Sequence, residues 1–305
     1  MGDQEQKGIV CVTGGTGYIG SWLIMRLLQH GYTVRTTIRP DHDPTASEGM
    51  KKKRDISFLT NLPRASEKLE IYHADLNQPE SFSAAIEGCS GVFHVAHPVT
   101  IVDEESEEMP RRSLRHTKAC LASKTVKRVV YTSSSAAISV LNDETGQQVA
   151  DESSWSDVDW YRSQKRMGIS YVAAKTKTEK AMFEFGEKFG LDIITLNPSL
   201  VLGPFICPTL PGSVAMGLTM ILGDTYNIYK YLLRTNMVHI EDVVSAHIFL
   251  YENTSAKGRS LEGIEGYKII ALSSKKLLDS GFKFKFGLAH MFDGAIQSCK
   301  ERNIL

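Results

Sequence analysis

The chain has 305 residues, 42% hydrophobic and 23% charged, an ordinary balance for a globular protein with room for one large domain, or a large domain and a smaller companion. Lysine plus arginine equals aspartate plus glutamate at 35 each, so no overall charge draws it to nucleic acid or an anionic membrane. Five scattered cysteines without a C-x-x-C pair argue against a disulfide framework or zinc site, and no apolar run approaches the roughly 18 residues of a membrane span. The segment Met1 to Gln6 is acidic where a secretory signal needs a basic stretch, so a cytoplasmic protein is expected.

Lys7 to Thr13 is a short apolar run ending in glycines, which predicts a first strand. Trp22, Leu23, Ile24, Leu27 and Leu28 then recur at helical spacing up to Gly31, and Tyr32 to Ile38 is β-branched and strand-like. Leu69 to His73, Gly91 to Ala96 and Val126 to Thr132 predict further strands, Tyr171 to Phe189 a helix, and Leu191 to Leu196 another strand. Strands alternating with helices imply a parallel sheet covered on both faces. The Pro/Gly-rich stretch from Gly203 to Gly212 breaks the alternation, and Met237 to Tyr251 returns with a helical pattern. In the tail, a Met291, Ala295 and Ile296 stripe is expected to dock on the body. The expected class is α/β: a doubly wound parallel sheet of Rossmann type over 1–202, with 237–251 returning to it. A smaller substrate-binding region takes 203–236 and 252–305.

Between the first strand and first helix lie Thr13, Gly14, Gly15, Thr16, Gly17, Tyr18, Ile19 and Gly20. The G-x-x-G-x-x-G spacing allows a tight turn, close approach of backbone to a pyrophosphate, and close packing of helix on strand. The helix N-terminus adds free N–H groups and its dipole. A purely structural turn is the rival reading. In NAD-users an acidic residue caps the second strand; here Arg39 stands there and can pair with a 2′-phosphate, which favours NADP(H). Asp41 is the rival cap and would favour NAD. The run Lys51 to Arg54 reads as phosphate contact, solvated face or localisation signal.

Carbonyl reduction needs a proton for the oxygen, and a phenol can supply it if nearby positive charge lowers its pKa. Tyr171 and Lys175 have the required spacing, one helical turn apart. Tyr161 and Lys165 share that spacing, but in a polar stretch without an apolar helical stripe. A hydroxyl donor at a strand end should polarise the carbonyl; Ser134 is preferred and Ser133 is the alternative. His94 and His97 could suggest a metal, but no further ligands are evident. Asp75 follows the third strand, either to hold an adenine amino group or to cap a helix.

At this point the chain resembles the plant dihydroflavonol reductase family of extended short-chain reductases. The resemblance rests on CVTGGTGYIGSWL, RDISFLTNLPRASEKL, ADLNQPESF, AAIEGC, SKTVKRVVYTSS, DESSWSDVD, YVAAK, FICPTLPGSV, MVHIEDVVSAHI and SSKKLLDSGFKF. It implies NADP(H) contacts at the Gly14–Gly20 turn, Arg39, Lys53, Arg54, Asp75, Leu76, Val95, Ala96 and His97. It implies others at Tyr171, Lys175, Pro198, Ser199, Leu200, Val201 and Ser213. The substrate would meet Ser134, Tyr171 and Ser139. Ser139 stands where dihydroflavonol reductases carry an asparagine, which turns the expected substrate towards a 2′-hydroxyisoflavanone whose C4 ketone becomes an alcohol. The expected partner is a flavonoid or isoflavonoid ketone, with room for association with pathway enzymes. Three departures stand out: a sparse apolar face on the helix before Cys120, His97 in place of a small polar residue, and a segment after Gly258 shorter than the family's. A dihydroflavonol or other aromatic carbonyl is the alternative substrate, and a cofactor-binding pseudo-enzyme the alternative class.

Overall fold

The computed structural model describes residues 7–40, 55–75, 78–96, 108–142, 149–165, 168–223, 235–262 and 271–305. In chain order the strands are β1 (Ile9–Thr13), β2 (Thr33–Ile38), β3 (Leu69–His73), β4 (Gly91–His94), β5 (Arg128–Thr132) and β6 (Val149–Ala150). There follow β7 (Asp192–Pro198), β8 (Leu200–Leu202), β9 (Met237–His239), β10 (Gly258–Glu262) and β11 (Ala271–Leu272). Seven of them form one parallel sheet in the order β10-β7-β5-β4-β1-β2-β3.

Strand periodicity sets the layers. Val10 and Val12 of β1 point into a core shared with Leu23, Ile24 and Leu27 of the helix Tyr18–Gln29 and with Val243 and Val244 of the helix Ile240–Glu252. Cys11, between them, faces the opposite core, with Ile86, Val129, Met182 and Phe185. Both faces are therefore covered, which is why the strands read as near-continuous apolar runs. From β1 the chain winds outward to β2 and β3, then crosses back to β4 on the other side of β1. The β1/β4 boundary is thus the topological switch point, where open α/β sheets bind ligands outside the carboxyl ends of the strands.

The short strands β6, β8 and β11 lie outside the expected ones, and two further elements differ from expectation. Met237 to His239 was expected to be helical but forms β9, paired with β8; the helix starts at Ile240 because the His239 Nδ1 accepts from the Glu241 N–H at 3.1 Å, capping it. The strand β10 had no forecast. It lies at the sheet edge beside β7.

Beyond β8, a third core joins Leu202, Phe205, Val214 and Leu218 to Met291, Ala295 and Cys299 of the helix Leu288–Glu301. The expected tail stripe does dock, with Ile296 at its margin. At the opposite, amino end of the sheet, Arg128 pairs with Asp192 at 2.8 Å. It also donates to the carbonyls of Leu250, Asn253 and Ala256, closing the C-terminal end of the helix Ile240–Glu252.

Candidate active site

The crevice at the switch point begins with the glycine turn. Gly14 adopts φ +75°, and a Cβ there would lie 2.9 Å from Ala96 Cα, so the β1 and β4 ends approach as only glycine permits. The Gly14 and Gly15 N–H groups donate to the Thr37 carbonyl of β2 at 3.2 and 3.1 Å. Gly17 caps the helix Tyr18–Gln29. The Thr13 hydroxyl accepts from the Val95 and Ala96 N–H groups, both at 3.1 Å. Its two lone pairs are then used, so its own proton goes to His94 Nδ1 at 2.9 Å. This bracing fixes the mouth between β1 and β4 and turns the Thr13 side chain inward. The Tyr18 hydroxyl is likewise engaged, donating to the Gly203 carbonyl at 3.0 Å.

Arg39 is exposed at the carboxyl end of β2. Asp75 follows β3, and the 3-10 helix beyond it is capped by Gln78, so Asp75 is not that helix's cap. Val95 and Ala96 follow β4. Asp41, Lys53, Arg54, Leu76 and His97 lie outside the described residues. Pro198 ends β7, Leu200 and Val201 open β8, and Ser213 lies in the first turn of the helix Gly212–Gly217. Ser199, between β7 and β8, is 8% exposed, and its hydroxyl has no hydrogen-bond partner among the described residues. An orphaned buried hydroxyl and a glycine cradle at the strand ends fit a nicotinamide dinucleotide, with the Arg39 guanidinium beside them at the β2 end.

Lysine, tyrosine and serine meet at the ends of β5 and the helix Ile169–Phe189. Gly168, at φ +85°, caps that helix, so Tyr171 stands in its first turn and Lys175 one turn on. The Tyr171 phenol hydrogen-bonds the Ser134 hydroxyl; burial raises its pKa while that bond lowers it. Lys175 Nζ lies 5.9 Å from the Tyr171 ring centre and donates to the Thr132 carbonyl at 3.1 Å. Burial pushes its pKa down to about 7, with the Glu179 carboxylate opposing. Ser134 is extended at the mouth of a 3-10 turn, its Oγ accepting from the Ala136 N–H at 3.2 Å. Ser133 is committed elsewhere, donating to Glu179 at 2.7 Å. Ser139 is half-buried on the loop beyond, its N–H bonded to the Ser135 carbonyl. The other pair does not share a helix face. The helix Val158–Ser163 ends before Lys165, which is exposed at φ +49°.

Around these lie residues for which no role was expected. The Thr132 hydroxyl meets His247 Nε2 at 2.7 Å, and His247 Nδ1 donates to the Val243 carbonyl at 2.7 Å. A carbonyl only accepts, so the His247 proton sits on Nδ1 and Thr132 donates to Nε2. Glu179, fully buried, accepts from Ser133, Thr195, Asn197 and Arg259. The signal was readable, since Tyr171, Lys175 and Glu179 recur at four-residue intervals on one face. His94 stacks on His116 at 4.4 Å, and burial pushes the His116 pKa down to about 3. Among the described residues no three His, Cys, Asp or Glu side chains gather as metal ligands, and no helix is long and apolar enough to cross a membrane.

The model of the NAD dependent epimerase/dehydratase family matches residues 10–262. The vestitone reductase of Medicago sativa is 45% identical over 336 positions, covering 99% of both chains. Its crystal structure matches with a TM-score of 0.82 at 43% identity, over 98% of this chain and 100% of that one. Protein BRI1-5 ENHANCED 1 of Arabidopsis thaliana is 48% identical over 99% of this chain and 91% of its own. The dihydroflavonol 4-reductase of Callistephus chinensis is 41% identical, over 99% and 89%. The chain belongs to the NAD dependent epimerase/dehydratase family and is an oxidoreductase of the extended short-chain dehydrogenase/reductase type.

Proposed function

We propose that the chain reduces the C4 ketone of a 2′-hydroxyisoflavanone such as vestitone, using NADPH and the trio Ser134, Tyr171 and Lys175. The observation that carries this reading is the Tyr171–Ser134 hydrogen bond with the Lys175 ammonium one turn away. Burial keeps the phenol protonated at neutral pH, the form a proton donor needs. Ser134 donates a hydrogen bond to the ketone oxygen, and Tyr171 hands its proton to the same oxygen as charge develops there. The Lys175 charge stabilises the tyrosinate left behind. When bound, the nicotinamide supplies the hydride. The glycine turn holds the pyrophosphate, with Val95, Ala96, Pro198, Ser199, Leu200, Val201 and Ser213 lining the crevice. Arg39 stands where an acidic residue would otherwise take the ribose hydroxyls, which supports NADPH over NADH; Lys53 and Arg54 are assigned to the same phosphate. Residues 1–202 with 237–251 are assigned to the cofactor half, joined by the edge strand β10, and 203–236 with the rest of 252–305 to the substrate half.

The substrate assignment is supported by full-length similarity to a vestitone reductase and by Ser139 at the ring-hydroxyl position. The decisive measurement follows NADPH absorbance with vestitone, dihydroquercetin and cinnamoyl-CoA. Vestitone is expected to be turned over fastest, with kcat/KM for NADH well below that for NADPH. Tyr171→Phe should lose about 10²–10⁴-fold in kcat while still binding NADPH. Full activity in that variant overturns the proton-donor role. A second reading has its own observation: an alignment of 336 positions exceeds this chain's 305 residues by 31, so at least that many positions of the relative have no counterpart here. Tight NADPH binding without consumption of any ketone would mark a cofactor-binding pseudo-enzyme.

A further inference from the structure

We propose that Glu179 is a positioning residue of the catalytic centre, through which the edge strand β10 and its Arg259 reach Lys175 and Ser134. The inference rests on the reductase reading above and deepens it. Glu179 follows Lys175 by one turn of the same helix and is completely buried. Its Oε2 accepts from Ser133 Oγ at 2.7 Å and Asn197 Nδ2 at 2.8 Å; its Oε1 accepts from Thr195 Oγ1 at 2.6 Å and Arg259 Nε at 2.9 Å. Four donors satisfy this one carboxyl group in a place where an unpaired polar group would be costly. Asn197 also donates to the Ser134 carbonyl at 3.2 Å, so the carboxylate orients the amide that holds the backbone of the serine.

Arg259 gives the carboxylate its counter-charge and its link to other segments. It is 6% exposed, with its guanidinium 3.7 Å from the centre of the Trp155 ring. It donates to the carbonyls of Glu152, Ser154 and Ala137, the last in the turn just after Ser134. One side chain from β10 thus ties the serine turn, the loop around Trp155 and the catalytic helix together. A merely structural ion pair at a sheet edge would not need its acid four residues from the catalytic lysine.

The charge of Glu179 acts on Lys175 against the desolvation that drives the ammonium towards neutrality. Among the described residues the other titratable groups facing Lys175 are Tyr171 on its own helix, its ring centre 5.9 Å from Nζ, and Tyr131 on β5, its ring centre 5.5 Å from Nζ. Arg259 lies behind Glu179. On the neighbouring elements Arg162 pairs with Asp159, and Arg128 with Asp192 at the far end of β5 and β7.

The test compares wild type, Glu179→Gln, and the double variant Glu179→Gln/Arg259→Met, which removes both charges and leaves no orphaned guanidinium. Two quantities are followed against pH: kcat/KM for ketone reduction, and the ε-carbon NMR signal of Lys175, assigned as the resonance missing from Lys175→Met. Both variants should lose the alkaline side of the activity profile, and titrate Lys175, about one pH unit lower than wild type. The double variant should recover thermal stability lost by the single one without recovering the pH profile. Superimposable Lys175 titrations in wild type and variants overturn the proposal. So does a double variant that regains stability and the wild-type pH profile together, since Glu179 would then serve Arg259 alone. If wild type consumes no ketone, the reductase reading falls, while the Lys175 titration still decides the coupling.

Discussion

Burial drives Lys175 from 10.5 down to about 7, although Glu179 pulls the other way, and only 4% of the residue is exposed. Its folded pKa therefore lies below its unfolded one. Between about pH 7 and 10.5 the unfolded chain holds the extra proton, so this lysine's contribution to stability rises with pH through that window and is least favourable below it. At neutral pH the residue costs stability that the chemistry requires. Lys175→Met should accordingly melt higher than wild type at pH 7, by about 2–4 °C for each kcal/mol recovered, and the gap should narrow towards pH 10. Calorimetric scans at the two pH values measure it; a variant melting lower at pH 7 would show that the bond to the Thr132 carbonyl outweighs the desolvation. Reduction should be lost in either case. At the same scale Ser133 and Ser134 differ by their partners, one bound to Glu179 and the other to Tyr171. Their order in the sequence carries no such distinction.

At the scale of elements, the glycine turn sets two tendencies against each other. Gly20 lies inside the helix Tyr18–Gln29, where alanine ordinarily gains about 1 kcal/mol. Here a Cβ would run into the Gly14 carbonyl oxygen, which is backbone and cannot swing aside. The clash outweighs the propensity. Gly20→Ala should melt lower and bind NADPH about tenfold more weakly in a fluorescence titration, as the helix is pushed off the strand that aims it at the pyrophosphate. A higher melting temperature with unchanged Kd would refute the close-packing role. This turn was legible in the sequence because its demands are local: three glycines, a strand before and a helix after. The helix Ile169–Phe189 was legible for the same reason. β9 and β10 were not. Three residues that end in a capping histidine carry no period, and β10 depends on pairing with β7, more than fifty residues earlier in the chain. Glu179 was legible only as a position on the Tyr171 and Lys175 face, and Arg259 not at all, because a charged residue in an amphipathic pattern reads as solvent-facing until a distant partner buries it.

For the whole molecule, the sheet separates its tasks by end. Carboxyl ends carry the glycine turn, Arg39, Ser134 and Ser199, while the amino ends carry the Arg128 clasp on the helix Ile240–Glu252. The cores between them hold three histidines whose folded pKa values burial has lowered: His116 to about 3, and His239 and His247 to about 4. Each is neutral when folded and free to protonate near 6.5 when unfolded. Their stability contributions are complete above pH 6.5 and are lost as pH falls towards 4, at about 1.4 kcal/mol per pH unit for each histidine. Thermal melts should therefore fall steeply across that window. His116 makes the cleanest check, since neither ring nitrogen has a partner among the described residues and removing it breaks no hydrogen bond. His116→Leu should flatten the acid slope while leaving the melt at pH 7.5 nearly unchanged; an unaltered slope would show that His116 does not stay neutral.

The chain has three tryptophans, and they are not equivalent. Trp22 donates its indole N–H to Glu241 at 2.7 Å, and Trp160 lies in the short helix Val158–Ser163. Trp155 carries two cations on its ring, the Arg259 guanidinium at 3.7 Å and the Lys180 ammonium at 5.0 Å. Positive charge over an indole displaces the colour of its emission, so the clasp between the sheet edge and the catalytic helix has its own spectroscopic voice. Light from one side chain then tells whether β10 is seated, without a label and without a substrate.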